Sequence, residues 1–331
     1  MNICICGGGA LGHVCAGLLS VQENVTVNMF TNHPQDWESS IVITDINHKV
    51  FHGHLNVISD KPQDALSDCE IVLLCLPGFL IEKTLKEIKP FVLGKKIGSI
   101  VSSTGFFFMA HDILGSDAKL FGFQRVPFIA RVDKYGHSAN LLGYKTQLAI
   151  ATENIENPES FRLLMENLFH VPTMLLDSYY EASLTNSNPI LHTGRLFSLF
   201  HGKEETVFDH NILFYKEWTD ESSQILIDMD KEFFSLLAKL GLDQGNIPTL
   251  LDYYESKDAE SLTNKIRSIG AFQSILSPMK KVENGWMIDF TSRYFSEDFP
   301  FGLYFIQKLA KEKGVAVPTI DKVFNWGMSH L

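Results

Sequence analysis

Ten residues near the N-terminus, CICGGGALGH (4–13), constrain the fold of this chain more than any other segment. They place the spacing Gly7-x-Gly9-x-x-Gly12 between a strand-like apolar run and a run with helical spacing. Gly7 permits a tight turn, Gly9 lets the backbone approach a pyrophosphate, and Gly12 permits close helix–strand packing. The start of the helix offers N–H donors and the positive end of its dipole. The segment therefore predicts a dinucleotide site at Gly7, Gly9, Ala10, Leu11 and Gly12.

The residues after the second strand bear on which nicotinamide cofactor this site favours. The run VTVNMF (25–30) is followed by Thr31, Asn32 and His33. An NAD site would place an acid here to bind the ribose 2′-hydroxyl, but the next carboxylate along the chain is Asp36. Because no acid repels a 2′-phosphate and these side chains can donate to one, we predict NADP or NAD with a weak preference for NADP.

Short apolar runs alternate with helical stretches through the first half of the chain. The run CEIVLLCLP (69–77) is continuously apolar and ends in Pro77, as expected of a strand buried on both faces of a parallel sheet. The alternation predicts a doubly wound, mostly parallel α/β Rossmann domain over residues 1–170. Ligands bind at the carboxyl ends of the strands in such folds, so we also expect Pro77 to contact the cofactor.

From about residue 175 onwards, long helical patterns replace the β-branched runs. Residues 220–241, for example, carry one apolar stripe that ends at Gly241. The pattern predicts an all-α substrate and catalytic domain over residues 171–331, with the active site in the cleft between the two domains.

Composition excludes several classes of partner. The formal charge of −11 disfavours nucleic acid and anionic membranes, and no apolar run approaches the roughly 18 residues that span a bilayer. The N-terminus lacks the basic region of a signal peptide. The five cysteines show neither a disulfide framework nor a zinc spacing, and HKVFHGH (48–54) lacks the acidic or thiol ligands that would complete a metal shell. We expect a cytoplasmic protein without a metal.

Two polar constellations in the second half are candidates for chemistry. In SNPILHTGRLF (187–197), Asn188 is a good N-cap, Pro189 suits the first helical position, and His192 follows one turn in. In SRYFSEDFPFGL (292–303), Arg293 and Asp298 stand close together. Each has an ordinary structural interpretation: a packed core histidine, a surface cation and an N-cap carboxylate.

These motifs resemble a known family. NSNPILH together with RYFSEDFPFGL looks like the paired motifs of the opine dehydrogenases, the octopine/nopaline dehydrogenase family. The segment FQRVPFIARVDKYGHSANLLGYK (123–145) is also similar to that family, and with the N-terminal glycine motif the resemblance covers the whole chain in order. It implies a helical domain like that of 6-phosphogluconate dehydrogenase. One departure is Asn32-His33, since the family often has an arginine after the second strand.

The resemblance implies reversible, NAD(P)H-dependent reduction of the imine formed from an amino acid and a 2-oxo acid. By that resemblance His192 is the catalytic acid–base, Asp298 orients it, and Arg293 binds a substrate carboxylate. A carboxylate next to an imidazole favours its protonated form, so the pair could hold or release a proton near neutral pH. The small-molecule substrates are then the principal partners, and a homodimer is the candidate assembly.

Two other interpretations remain open. A reductase of a small oxo acid, similar to ketopantoate reductase or glycerol-3-phosphate dehydrogenase, would have the same architecture with a catalytic lysine, but residues 178–200 contain no lysine. A dinucleotide-binding sensor without catalytic activity would not need His192, Arg293 and Asp298.

Overall fold

Two separately packed units, Met1–Thr185 and Asn186–Leu331, make up the chain. The computed structural model describes residues 1–242 and 247–331. The predicted boundary at 170/171 falls earlier than this division. Beyond it, the strand Thr173–Leu175 pairs in parallel with Leu148–Glu153, and the helix Tyr179–Leu184 packs against Leu148–Glu153 as well. These two elements extend the first unit.

An eleven-stranded sheet forms the centre of the first unit. Its strands are β1 (Asn2–Cys6), β2 (Thr26–Phe30), β3 (Ser40–Asp45), β4 (Val50–Ser59), β5 (Ile71–Leu74), β6 (Lys96–Ser99), β7 (Lys119–Phe123), β8 (Phe128–Lys134), β9 (Ser138–Tyr144), β10 (Leu148–Glu153) and β11 (Thr173–Leu175). They lie in the order β11-β10-β7-β6-β5-β1-β2-β4-β3-β9-β8. Most neighbours are parallel, the exceptions being β7–β10, β3–β4 and β8–β9. The predicted doubly wound, mostly parallel sheet is confirmed.

The winding of the sheet reverses at β1, which lies between β2 and β5. The apolar runs of β1 and β5 are almost wholly buried because they lie in the interior of this sheet. Ligands bind outside the carboxyl ends of strands at such a reversal. Gly7, Thr31 and Pro77 all follow strand ends in this region.

Six helices accompany the sheet: α1 (Ala10–Ser20), α2 (Pro62–Ala65), α3 (Gly78–Ile88), α4 (Phe106–Leu114), α5 (Pro158–Phe169) and α6 (Tyr179–Leu184). Single-turn 3₁₀ segments lie at Pro34–Asp36, Lys89–Phe91 and Ser102–Thr104. Within residues 1–242 and 247–331, no helix is both long enough and apolar enough to cross a bilayer.

The histidine-rich run HKVFHGH lies in the antiparallel hairpin of β3 and β4. His48, His52 and His54 are all exposed, as expected of a polar β-ribbon. Among the described residues, no three His, Cys, Asp or Glu side chains are grouped so that they could hold a metal ion.

Within residues 186–242 and 247–331, the regular elements of the second unit are helices and one short hairpin. Its helices are α7 (Asn188–Phe200), α8 (Asp220–Lys239), α9 (Leu250–Tyr253), α10 (Ala259–Ser268), α11 (Arg293–Ser296), α12 (Tyr304–Lys313) and α13 (Pro318–Met328), with a 3₁₀ turn at Gly270–Phe272. The hairpin of β12 (Met279–Val282) and β13 (Gly285–Ile288) is the departure from the predicted all-α domain.

A π-helical turn, Phe299–Leu303, joins α11 to α12 and packs tightly against two other helices. A Cβ on Gly302 would lie 2.7 Å from Cγ of Pro189, at the start of α7. A Cβ on Gly327 of α13 would lie 2.0 Å from the Phe299 ring. Both glycines allow an approach that no other residue would permit, so the turn lies directly against the beginning of α7.

Candidate active site

The three motif glycines meet different geometric demands. Gly7 has φ +115°, and a Cβ there would lie 2.7 Å from the carbonyl oxygen of Cys75. A Cβ on Gly12 would lie 1.8 Å from the carbonyl oxygen of Gly7, so α1 packs directly onto the loop. Beside Gly9, in contrast, a Cβ would meet no described atom within 4 Å. The loop is closely packed at its two ends and open at Gly9, where a phosphate would approach.

The start of α1 provides donors for an anion at this opening. Gly9 occupies the N-cap position, and Ala10 and Leu11 begin the helix. In the described chain no side chain caps this end, and its first turn contains no acid. The N–H groups and the positive end of the helix dipole are therefore available to phosphate oxygens.

A cavity lies next to the glycine loop at the end of β2. It is lined by Gly7 and Gly8 and by the three predicted residues Thr31, Asn32 and His33. Thr31 is buried, whereas Asn32 and His33 are exposed. This arrangement matches the adenosine end of a dinucleotide site, which extends from the glycine loop towards the end of the second strand.

Helix α3 adds two charged residues to the same cavity that the sequence analysis did not single out. Lys83 and Glu87 both line it, and their spacing of one helical turn was the available signal. Pro77 lies at the N-cap position of α3, next to Leu76, which lines the cavity. Lys83 is the cation that a 2′-phosphate would require, and Glu87 is a carboxylate that a ribose hydroxyl could use.

A turn from the middle of the chain covers this region. Tyr135, between β8 and β9, lines the cavity, and its hydroxyl lies 2.6 Å from where a Cβ of Gly8 would be. His13 of α1 holds the turn, because the Gly136 N–H donates to its Nε2 at 2.7 Å. Its Nδ1 lies 2.9 Å from the carbonyl oxygen of Gly9. With Nε2 accepting, the ring is neutral with its proton on Nδ1, and burial lowers the pKa of His13.

These features fit a bound dinucleotide. The open space beside Gly9 and the uncapped start of α1 would accommodate the pyrophosphate, and the cavity at Thr31–His33 would hold the adenosine end. Gly7 and Gly12 are packed as their predicted roles require, and the approach of a pyrophosphate at Gly9 stays a prediction.

In the second unit, His192 lies one turn into α7 among buried neighbours. The helix begins at Asn188 with Ser187 as its N-cap, one residue earlier than the sequence predicts. The Asn188 N–H donates to Oδ1 of Asn186 at 3.2 Å. The His192 ring lies 4.8 Å from the Tyr294 ring, and its side chain is 14% exposed.

Asp298 meets His192 although 106 residues separate them in sequence. Its Oδ2 lies 2.8 Å from Nδ1 of His192. Asp298 precedes the π-helical turn, but its side chain makes no capping hydrogen bond. The close packing of Gly302 on Pro189 brings that turn, and with it the carboxylate, to the start of α7. A carboxylate can only accept, so the Nδ1 proton is directed at Asp298.

The other ring nitrogen of His192 also has a partner, which the sequence analysis missed. The Tyr215 hydroxyl lies 3.1 Å from Nε2. In this structure that nitrogen is therefore already hydrogen-bonded within the protein, and the contact of His192 with the substrate stays a prediction. Burial raises the pKa of Tyr215 well above its usual range, and the nearby Tyr294 adds to the effect.

A buried cation fixes the loop that carries Tyr215. Arg195, on the same helix as His192, donates from Nε to the carbonyl oxygen of Phe214 at 3.0 Å and from a terminal nitrogen to that of Glu217 at 2.8 Å. Its other terminal nitrogen donates to the Ser222 hydroxyl at 2.7 Å. Burial lowers the pKa of Arg195 to about 9, which leaves it charged at neutral pH.

Arg293, the third predicted catalytic residue, does not contact the pair. Its Nε and one terminal nitrogen donate to both carboxylate oxygens of Glu297, at 2.7 and 2.9 Å. The two residues lie one turn apart, which explains the pairing. The Arg293 side chain is 81% exposed, and both Glu297 and Asp298 raise its pKa. The guanidinium fork that would hold a substrate carboxylate is occupied by an internal one.

Comparisons with known proteins show which proteins this chain is similar to. Residues 175–331 match the model of the family described as NAD/NADP octopine/nopaline dehydrogenase, alpha-helical domain. Octopine dehydrogenase from Pecten maximus is 24% identical over 100% of this chain and 90% of its own length. Tauropine dehydrogenase from Arabella iricolor is 26% identical over 97% of this chain and 89% of its own.

Similarity extends to the fold. A solved structure of octopine dehydrogenase with NADH and L-arginine aligns with a TM-score of 0.84 at 23% identity, covering 99% of this chain and 89% of the other. The helical-domain match, the full-length relatives and the shared fold agree with the motifs identified in the sequence. Over residues 175–331 the chain matches the helical domain of the octopine/nopaline dehydrogenase family, and over its whole length it is similar to opine dehydrogenases.

Proposed function

We propose that this protein is an NAD(P)H-dependent opine dehydrogenase, which joins an amino acid to a 2-oxo acid by reducing their imine. The observation that carries the proposal is the 2.8 Å contact between His192 Nδ1 and Asp298 Oδ2. This partly exposed acid–base pair fits a reaction that must both remove and supply a proton. The reductase alternative requires a lysine as its acid–base group, and it has less support from the relatives.

The proton transfers follow from the chemistry of the substrates. The amino group attacks a carbonyl carbon only after losing its ammonium proton, which His192 accepts. Asp298 then stabilises the imidazolium through Nδ1–H. His192 returns the proton to the hydroxyl of the carbinolamine, which leaves as water while the nitrogen lone pair forms the C=N bond. Such general acid–base catalysis contributes about 10²- to 10⁴-fold to the rate.

The cofactor supplies a hydride to the imine carbon when it is bound. Gly7, Gly9 and Gly12, with the N–H groups of Ala10 and Leu11, would hold the pyrophosphate, and Thr31, Asn32 and His33 the adenosine end. Lys83 favours NADPH, whereas Glu87 offers the carboxylate expected of an NADH site. We keep the weak preference for NADPH because no acid directly follows β2.

Arg293 is the proposed anchor for a substrate carboxylate. A guanidinium binds both carboxylate oxygens at once, as its present contact with Glu297 illustrates. The substrate must therefore take the place of Glu297.

The cytoplasmic location and the homodimer also remain proposals, the first supported by five buried cysteines that form no disulfide.

The test is nicotinamide oxidation measured over a grid of amino acids and 2-oxo acids with both cofactors. We expect oxidation to require both organic substrates, and His192→Gln to lower kcat by about 10²- to 10⁴-fold with cofactor affinity retained. Equal rates with a 2-oxo acid alone would show a simple reductase. Full turnover in His192→Gln would indicate a packed core histidine.

A further inference from the structure

We propose that Tyr215 carries the proton between His192 and the substrate, an inference that rests on the proposed function. Both ring nitrogens of His192 are engaged, with Asp298 at 2.8 Å from Nδ1 and the Tyr215 hydroxyl at 3.1 Å from Nε2. A substrate proton can reach the imidazole only if one of these partners leaves or passes the proton on.

Asp298 is unsuited to pass the proton on. It holds Nδ1–H and compensates the imidazolium charge, so its departure would remove the group that makes His192 basic. A hydroxyl, in contrast, donates one hydrogen bond while it accepts another. Tyr215 has the chemistry of a relay, and the carboxylate has that of a fixed counter-charge.

Packing prevents Tyr215 from moving aside. Its ring is stacked on Phe272 at 4.3 Å and lies parallel to Trp218 at 5.9 Å. The residue is only 5% exposed. Arg195 holds the backbone carbonyls of the neighbouring Phe214 and of Glu217. Displacing the hydroxyl would break both the stack and this clamp, so it stays on Nε2 during the reaction.

The relay accounts for both proton transfers of the proposed reaction. In the first, the substrate ammonium gives a proton to the Tyr215 oxygen as Tyr215 O–H gives its own to Nε2. In the second, Nε2–H returns a proton to that oxygen as Tyr215 O–H protonates the carbinolamine hydroxyl. The C–O bond breaks, water leaves, and the nitrogen lone pair forms the C=N bond. Tyr215 and His192 end as they began.

The two hops of each transfer occur together. Tyr215 is buried, which disfavours either charged form of its oxygen. The phenolate is disfavoured because burial raises the pKa of Tyr215, and a doubly protonated oxygen because it would be a buried cation without a counter-charge. The relay thus moves two protons in one step, whereas direct transfer to His192 moves one. This difference can be measured.

The test uses Tyr215→Phe, which keeps the ring and its stacking but removes the hydroxyl. We expect kcat to fall at least tenfold, with nicotinamide affinity unchanged within twofold and folding confirmed by thermal unfolding. The rate of single-turnover cofactor oxidation should be measured in mixtures of H₂O and D₂O. It should vary nonlinearly with the deuterium fraction of the solvent in the wild type and linearly in the variant. Tyr253→Phe, which removes a hydroxyl from an exposed ring, is the matched control and should keep wild-type rates.

The remaining outcomes overturn the inference. Wild-type kcat in Tyr215→Phe with an unchanged isotope dependence would make the hydroxyl a packing group. A higher kcat would make it an obstacle that the substrate displaces. A wild-type enzyme that turns over without an amino acid would refute the proposed function itself, and with it the relay.

Discussion

Replacing Glu297 with glutamine should improve binding of the carboxylate substrate. Glu297 occupies the guanidinium fork of Arg293 with two hydrogen bonds of 2.7 and 2.9 Å, and an entering carboxylate must displace it. Because the Arg293 side chain is 81% exposed, solvent screens the pair, and surface pairs with this i,i+4 spacing contribute about 0.3–0.5 kcal/mol. Losing this competition lowers KM for the 2-oxo acid by about twofold, since 1.4 kcal/mol corresponds to a tenfold change.

The assay is steady-state kinetics at low and high salt. The gain in Glu297→Gln should shrink at about 1 M salt, where charges are screened within about 3 Å. In an Arg293→Lys background the same substitution should have less effect, because lysine cannot form the bidentate pair. An unchanged or raised KM in Glu297→Gln would refute the competition and indicate that Glu297 orients Arg293 for binding.

Three further predictions concern the first unit. Gly12→Ala places a Cβ 1.8 Å from the carbonyl oxygen of Gly7, so we expect at least tenfold weaker nicotinamide binding and a loss of about 1–3 kcal/mol in the free energy of unfolding. The control is Gly270→Ala, where a Cβ meets no described atom within 4 Å. Equal nicotinamide affinity and equal denaturant titrations in the two variants would contradict the packing argument. Because the pKa of His13 is lowered from 6.5 in the folded state, the stability from its neutral form is present above pH 6.5 and is lost as the pH falls, by up to about 1.4 kcal/mol per pH unit. In His13→Gln, the free energy of unfolding measured with denaturant should therefore depend less on pH between pH 7 and 5. The same pH dependence in wild type and variant would contradict this. Asn32→Asp adds the acid that follows the second strand in NAD sites, so it should raise KM for NADPH at least tenfold more than for NADH; an unchanged ratio would place the 2′-position elsewhere.

The sequence allowed the start of the fold to be predicted because its signals are local. A strand, a glycine turn and a helix follow one another within residues 2–20, and each glycine has a steric reason that its spacing reveals. The domain boundary lacked such a signal. β11 is three residues long and belongs to the first unit only through its pairing with β10, a contact that periodicity does not encode.

The candidate site could be predicted only in part. Resemblance to a family identified His192 and Asp298, but spacing alone could not bring together residues 106 apart. Tyr215 lies outside the helices and strands, where no periodicity marks it, and its position depends on Arg195 and an aromatic stack. The pairing of Arg293 with Glu297, in contrast, follows from their i,i+4 spacing and was open to sequence reasoning.

The most direct test of the central claim follows the hydride to its product. Cofactor carrying deuterium at the transferable position is supplied with an accepted amino acid and 2-oxo acid, and the products are identified by mass spectrometry. We predict a secondary amine that joins the two substrates and carries one deuterium on the former carbonyl carbon, formed at a rate that falls by about 10²- to 10⁴-fold in His192→Gln. Deuterium found only in a 2-hydroxy acid, at equal rates with and without the amino acid, would contradict it.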